Sequence, residues 1–351
     1  MVEIFAEIRN VKYHPTLCKP LPEYDISELS TALMNRCFFL RMDDNNKLAI
    51  SRWVSPKRTR SYPYSSVYDT MQYSGKKVTI IPIFKDEGQL GDRDFLQWDT
   101  ISLMSLLGVY AIISYYSNAE LNSPSRKKSK ITNQQFDLDH IRSNLNKLMV
   151  YHLDALHWNL NQLTHVGDIG NYAIKAYRRI SKELDISMHS FKNAERKVSI
   201  LQKEAESFKK RSRELAAAAA SREVHVINPS EKLSGKKGRI TITNYVGGEY
   251  HLTVDEVWFK DENTLQLVEG KHTSSNLFPS ISDIKDGFVK MILFTNLENV
   301  MIANKFYQHE SVMKLTSSLN FDIQKFSKRQ MELYRDIQEE ARINNFKIFH
   351  T

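Results

Sequence analysis

Asp255, Glu269 and Lys271 are the residues of this chain whose types and spacing suit chemistry. Glu269 and Lys271 stand two apart, so on an extended strand both project from one face while Gly270 and His272 project from the other. His251 to Phe259 is apolar enough to read as a strand, Lys260-Asp261-Glu262-Asn263 as a turn, and Thr264 to Lys271 as a second strand. An antiparallel hairpin of the two can bring Asp255, fourteen residues before Glu269, next to it. Two carboxylates hold a hard cation such as Mg2+ through oxygen, with the Gly270 carbonyl as a third protein ligand. Such a cation stabilises charge on a phosphate and acidifies a bound water. A lysine beside the carboxylates orients or deprotonates that water and offsets the charge of the transition state. The chemistry this set suits is phosphodiester hydrolysis.

The elements that must position these groups follow in order. Ser280 and Asp283, just after Pro279, match a capping box, and Ile284, Phe288, Met291 and Ile292 supply an apolar stripe for a helix. Asn299 to Ala303 can form a further strand. Strand, strand, helix, strand with an aspartate and Glu-x-Lys so placed resembles the PD-(D/E)XK nuclease superfamily. Asp255-Glu256-Val257-Trp258, Leu267-Val268-Glu269-Gly270-Lys271-His272 and Asp283-Ile284-Lys285-Asp286-Gly287 resemble type II restriction endonucleases in particular. The run Lys85 to Tyr116 is also similar to a restriction-enzyme segment. By that resemblance Asp255 and Glu269 are metal ligands and Lys271 the catalytic lysine. It further implies a mixed β-sheet nuclease core flanked by helices, Mg2+ as cofactor, and double-stranded DNA cut at a short, palindromic sequence by a homodimer. A cognate DNA methyltransferase belongs to the same system. The likeness covers Glu249 to Ala303. Val254 stands where the family pattern has proline, which leaves Asp255 and Glu256 both open as the upstream ligand. The bare pattern is common by chance, and its plain alternative is a surface ion pair between Glu269 and Lys271. Lys285 and Lys290, on the helix after the motif, can touch phosphates or stay solvated.

Three regions frame the motif. Residues 1–121 form an N-terminal α/β region. It holds a short helix (Ile26 to Cys37), strands near Phe38-Phe39-Leu40 and Leu48-Ala49-Ile50, and a buried strand from Lys77 to Phe84. A helix from Phe95 to Leu107 and a strand from Val109 to Tyr116 complete it. Lys57, Arg58 and Arg60 interleave with aromatics in a candidate DNA contact. The acidic cluster Asp86, Glu87, Asp92, Asp94 and Asp99 is a rival metal site, the wall of a cleft, or a solvated loop. Asn122 to Asn133 is a basic connection whose Arg126, Lys127 and Lys128 form a candidate DNA arm. Residues 134–223 form a helical region whose His140, His152, His157 and His165 lack metal-ligand spacing. From Phe191 through Ala194, Val198, Leu201, Ala205, Phe208, Ser212 and Leu215 to Ala219 an apolar seam alternates steps of three and four. That is a long coiled-coil-like helix, joining subunits or folding back on its own chain. Asn228 to Gly238 reads as a linker before the catalytic segment, 239–351, which can share one core with 1–121. The fold class is therefore α/β (α+β).

With 351 residues, 41% apolar and a net charge of +8, the chain has enough core for two lobes or for one core with a large elaboration, and favours polyanionic partners. Two cysteines, Cys18 and Cys37, exclude a disulfide framework and a cysteine zinc site. The acidic start and the short, interrupted apolar run Ile101 to Tyr116 point to a soluble, cytoplasmic protein without a membrane span. Two other functions suit the same residues: a non-catalytic nucleic-acid-binding coiled-coil protein, and a repair or mobile-element nuclease without strict sequence choice.

Overall fold

The computed structural model describes residues 1–9, 11–57, 63–122, 130–203, 235–243, 249–319 and 322–350. The chain is mixed α/β and divides into two compact units. One comprises Met1–Pro20, Tyr64–Gln72 and Arg213–Thr351, the other Leu21–Pro63 and Tyr73–Ser212. Among the described residues no helix is long and apolar enough to cross a membrane.

The first unit is built on an eight-stranded sheet. Its strands are β1 (Val2–Glu7), β2 (Lys236–Thr243), β3 (Glu249–Phe259), β4 (Thr264–Thr273), β5 (Glu298–Ile302), β6 (Lys305–Phe306), β7 (Gln308–Ser317) and β8 (Lys347–His350). They lie in the order β6-β5-β1-β2-β3-β4-β7-β8. The β3–β4 hairpin expected from the alternating apolar residues forms, with Glu256 opposite Val268 and Phe259 opposite Leu265. β4 and β7 run parallel, and helix α1 (Ile281–Phe294) lies on the connection between them. The Ser280 hydroxyl accepts the Asp283 N–H, so the capping expected at that serine is present. Ile284, Phe288, Met291 and Ile292 are fully buried, as their helical spacing requires. Helix α2 (Lys328–Ile343) follows β7 and is capped at Ser327.

The N-terminal segment of this unit is tied down by a buried carboxylate. Glu340, on α2, is fully buried. It accepts from the hydroxyls of Tyr13 (2.8 Å), Tyr68 (2.6 Å) and Thr16 (2.9 Å) and from the Thr16 and Leu17 amides. With that many donors the group needs no neighbouring cation to be tolerated in the core.

The second unit has a five-stranded sheet whose order is Glu23–Asp25, Cys37–Arg41, Lys47–Arg52, Lys77–Pro82, Tyr110–Ser114. Two hairpins (Phe84–Asp86 with Arg93–Phe95, and Tyr116–Leu121 with Ile131–Phe136) and five helices between Trp98 and Lys203 accompany it. The strands Cys37–Arg41, Lys47–Arg52 and Lys77–Pro82 thus lie close to where β-branched runs and turn residues put them.

Several expectations are corrected. Residues 1–121 are not one region: β1 pairs with β2 and β5 inside the acid-bearing sheet, while Leu21–Pro63 and Tyr73 onward join the helices. The helix expected over Ile26 to Cys37 is shorter, a 3-10 turn at Ile26–Glu28 and a helix at Leu29–Ala32. The basic connection ends earlier than Asn133, because Ile131–Phe136 pairs with Tyr116–Leu121; the helical region therefore starts at Leu138. The linker likewise yields to β2 from Lys236. In the apolar seam, Phe191–Lys203 is helical and Ala194 and Val198 are 1% exposed. A Cβ at Gly170, on helix Val166–Glu183, would come within 2.7 Å of a Val198 methyl, so the absent side chain lets the two helices close up. This part of the seam packs within its own chain. Ala205, Phe208, Ser212, Leu215 and Ala219 lie outside the described residues, as do Arg58, Arg60, Arg126, Lys127 and Lys128.

Candidate active site

The β3–β4 register sets the acids: Glu256 stands opposite Val268 and shares its face, so Asp255 projects to the other face. β3 also bulges against β2 here: Lys236 pairs with Val257 and Gly238 with Val254, so Asp255 and Glu256 together stand against Lys237. By strand alternation the two acids go different ways. Glu256 is fully buried; its Oε1 lies 2.7 Å from Lys314 Nζ, and its Oε2 accepts from Gly235 N–H and the Trp258 indole. Lys314 is in register with Gly270, whereas Met313 is in register with Glu269 and reaches α1. Glu256 is thus committed on the face away from Glu269. Asp255 Oδ2 instead accepts the Gly270 N–H at 2.7 Å, where the β3–β4 ladder has ended. Of the two acids left open by the sequence, Asp255 is the one that keeps company with Glu269.

Glu269 is 2% exposed and grips a cation with each oxygen: Lys271 Nζ at 3.0 Å from Oε1 and Lys290 Nζ at 2.5 Å from Oε2. Lys271 also reaches Asp286 Oδ2 at 3.0 Å. The ion pair is therefore buried rather than a surface contact, and it is a network of two acids and two lysines. Burial pushes the Glu269 carboxyl up, but the ammonium groups of Lys290 and Lys271 outweigh it and hold the group below the usual carboxylate range. Burial pulls Lys271 down, yet Glu269 and Asp286 raise it above the ordinary lysine range; Lys290 is raised likewise by Glu269 and Asp255. Asp255 moves the other way, to about 7, because burial and the charge of Glu269 outweigh Lys290, the Gly270 amide and Lys271.

Two members of this site, Asp286 and Gly287, had no role in the sequence, and Lys290 was expected on a phosphate or in solvent. Asp286 and Lys290 are four apart on α1, hence on one helix face, and that face turns to the hairpin. Lys290 is accordingly not a solvated lysine. At Gly287 a Cβ would come within 2.9 Å of Lys271 Cε and 3.0 Å of Met313 Cε. Its bare backbone lets α1 settle on the stem of Lys271. The signal was the Asp-Gly pair within an otherwise regular helical stripe.

The remaining candidates lie apart. Lys285 is 3% exposed with its ammonium 2.5 Å from Asp69, so it is a core ion pair and not a surface contact. Lys57 is exposed. The acidic cluster is not a solvated loop: Asp86 accepts from Gly88 N–H and lies 2.8 Å from His189 Nδ1, and Glu87 sits between Lys85 and Lys130. Among the described residues no group of three or more His, Cys, Asp or Glu side chains could hold a metal ion.

The donors at the hairpin nevertheless fit a hard cation. Magnesium is commonly held by one or two carboxylates, with water and phosphate filling the remaining positions. Asp255 and Glu269 are two such groups in a buried setting, where burial first and the charge of Glu269 second raise Asp255. A divalent ion there would relieve the repulsion between them and compete with Lys271 and Lys290 for Glu269. Comparison with protein-family models, curated proteins and solved structures returned no match.

Proposed function

We propose that the chain is a magnesium-dependent endonuclease hydrolysing double-stranded DNA, of the type II restriction kind. The observation that carries this reading is one cluster on adjoining strands. Asp255 meets the Gly270 amide at 2.7 Å, and Lys271 stands 3.0 Å from Glu269. Asp255 and Glu269 would hold the metal, with the Gly270 carbonyl as the third protein ligand. Once bound, the ion supplies positive charge at the scissile phosphate and an acidified water.

The chain's own residues do the rest. Lys271 keeps its proton through the neutral range because Glu269 and Asp286 outweigh burial, so it serves as a fixed positive charge for the phosphate rather than as a base. Asp286 holds that ammonium in place from α1, and Lys290 neutralises the second oxygen of Glu269. A homodimer with two such sites would cut both strands of a twofold site, and a cognate methyltransferase would protect the host sequence.

Incubating the protein with supercoiled plasmid and magnesium tests the reading. Cleavage into discrete fragments is expected, with Lys271→Ala and Glu269→Gln each losing roughly a hundredfold or more in rate. DNA binding measured in EDTA should persist in both. Undiminished cleavage by Lys271→Ala protein would make the cluster a structural ion-pair network. No cleavage by the parent protein, with DNA still bound, would favour a non-catalytic binding role.

A further inference from the structure

The second unit carries a cationic depression that the hairpin chemistry does not use. Its central group is Arg52, at the end of strand Lys47–Arg52. The Arg52 Nε donates to the Asn35 carbonyl at 3.3 Å, and among the described residues the guanidinium meets no carboxylate. Burial lowers its pKa, and the neighbouring Arg36 adds to the effect. Beside it, Glu87 is 6% exposed and lies between Lys85 Nζ at 3.0 Å and Lys130 Nζ at 2.8 Å. Burial pushes the Glu87 carboxyl up, but the two ammonium groups prevail and hold it down. The acids that looked like a metal site in the sequence thus serve to hold lysines.

Arg52, Lys85, Lys130 and Glu87 all line one depression of about 340 Å³. Three cations face one carboxylate there, and each ammonium has three N–H donors of which Glu87 takes one. The imbalance of charge and of donors calls for an anion with several oxygens. A second depression of about 600 Å³ shares Arg52, Asn133 and Gln134 with the first. Its lining adds the amides of Asn118 and Gln135, with Met34 and Leu33, beside Arg142, Asp137 and Asp139. Amide side chains offer the paired donor and acceptor that a base edge requires, and both volumes lie in the range of ligand pockets.

We propose that Arg52, Lys85 and Lys130 take the phosphate of a nucleotide while the adjoining depression takes its nucleoside. The nucleotide is either free or one unit of a nucleic-acid strand. The site is independent of the Asp255–Lys271 cluster, which belongs to the other unit.

Calorimetric titration in EDTA of the full chain carrying Glu269→Gln separates this from catalysis. The probes are inorganic phosphate, deoxyadenosine monophosphate and a ten-residue single-stranded oligonucleotide. Binding of the mononucleotide, competed by phosphate, is expected if the ligand is free; binding of the oligonucleotide alone identifies a strand unit. Arg52→Gln should weaken either at least tenfold. Bound ligand should also slow acetylation of Lys130 in the protein with Arg52 intact, a readout that survives if Arg52→Gln fails to fold. Phosphate binding as tightly as both nucleotide probes would overturn the proposal. So would unchanged affinity in folded Arg52→Gln protein, absence of binding by all three probes, or unslowed acetylation of Lys130.

Discussion

At the scale of single residues, the opposite shifts of Asp255 and Glu269 have a measurable consequence. Asp255 titrates near 7 in the folded protein against 3.8 for an unperturbed aspartate, through burial and Glu269. A group raised on folding contributes stability that is complete below its unfolded pKa and is lost as pH rises through the folded one. In EDTA the thermal midpoint should therefore fall from about pH 4 to about pH 7, at about 1.4 kcal/mol per unit, and level off above that. Asp255→Asn should flatten that fall, since the amide carries no charge to desolvate, and magnesium should oppose it in the parent protein at pH 8. An Asp255→Asn protein with the same pH profile as the parent would remove Asp255 from the cluster's electrostatics. Lys271 and Glu269 were readable in the sequence because a two-residue spacing on a strand places side chains on one face whatever the surroundings. The choice of Asp255 over Glu256 was not readable, because it turns on the register in which β3 pairs with β4.

At the scale of elements, two contacts decide how helices are held. Val198 is 1% exposed against the helix that carries Gly170. Val198→Glu should destabilise the protein by about 3 kcal/mol, the cost of an unpaired charge in a packed seam. Chemical denaturation followed by circular dichroism would measure it, and light scattering should show an unchanged oligomeric state in the folded fraction. Conversion to a smaller species with intact stability would mean that the seam joins subunits here too. Glu340 makes the second contact, binding the N-terminal segment to α2. Glu340→Ala would take the acceptor from the Tyr13, Tyr68 and Thr16 hydroxyls and from the Thr16 amide, while the Leu17 amide keeps the Tyr68 oxygen at 3.2 Å. A loss of about 3 kcal/mol or more is expected in the same denaturation measurement, whereas Tyr68→Phe should cost about 1 kcal/mol. The hairpin and the capped helix were legible from period and cap residues. The packing partner of each was not, since an apolar stripe says that a face is buried without saying by what.

At the scale of the whole molecule, the net charge of +8 gives the polyanion reading a direct test. If DNA is the partner, each phosphate contact adds about 0.9 to the slope of log affinity against log salt. Affinity measured by fluorescence anisotropy in EDTA should fall at least tenfold between 50 and 200 mM salt, on the order of what a few such contacts imply. A salt-independent affinity would assign the excess charge to solubility. Local pattern alone determined the β3–β4 hairpin, the strand after α1, the capped helix and the expectation of chemistry at Asp255, Glu269 and Lys271, because each depends on neighbours a few residues away. Only the tertiary structure decided that Val2–Glu7 lies inside the sheet bearing the acids, that Asp286 and Lys290 join them from α1, and that Lys285 is buried on Asp69. Those juxtapositions link positions far apart in the chain, where burial and pairing energies choose among alternatives that sequence spacing leaves equal.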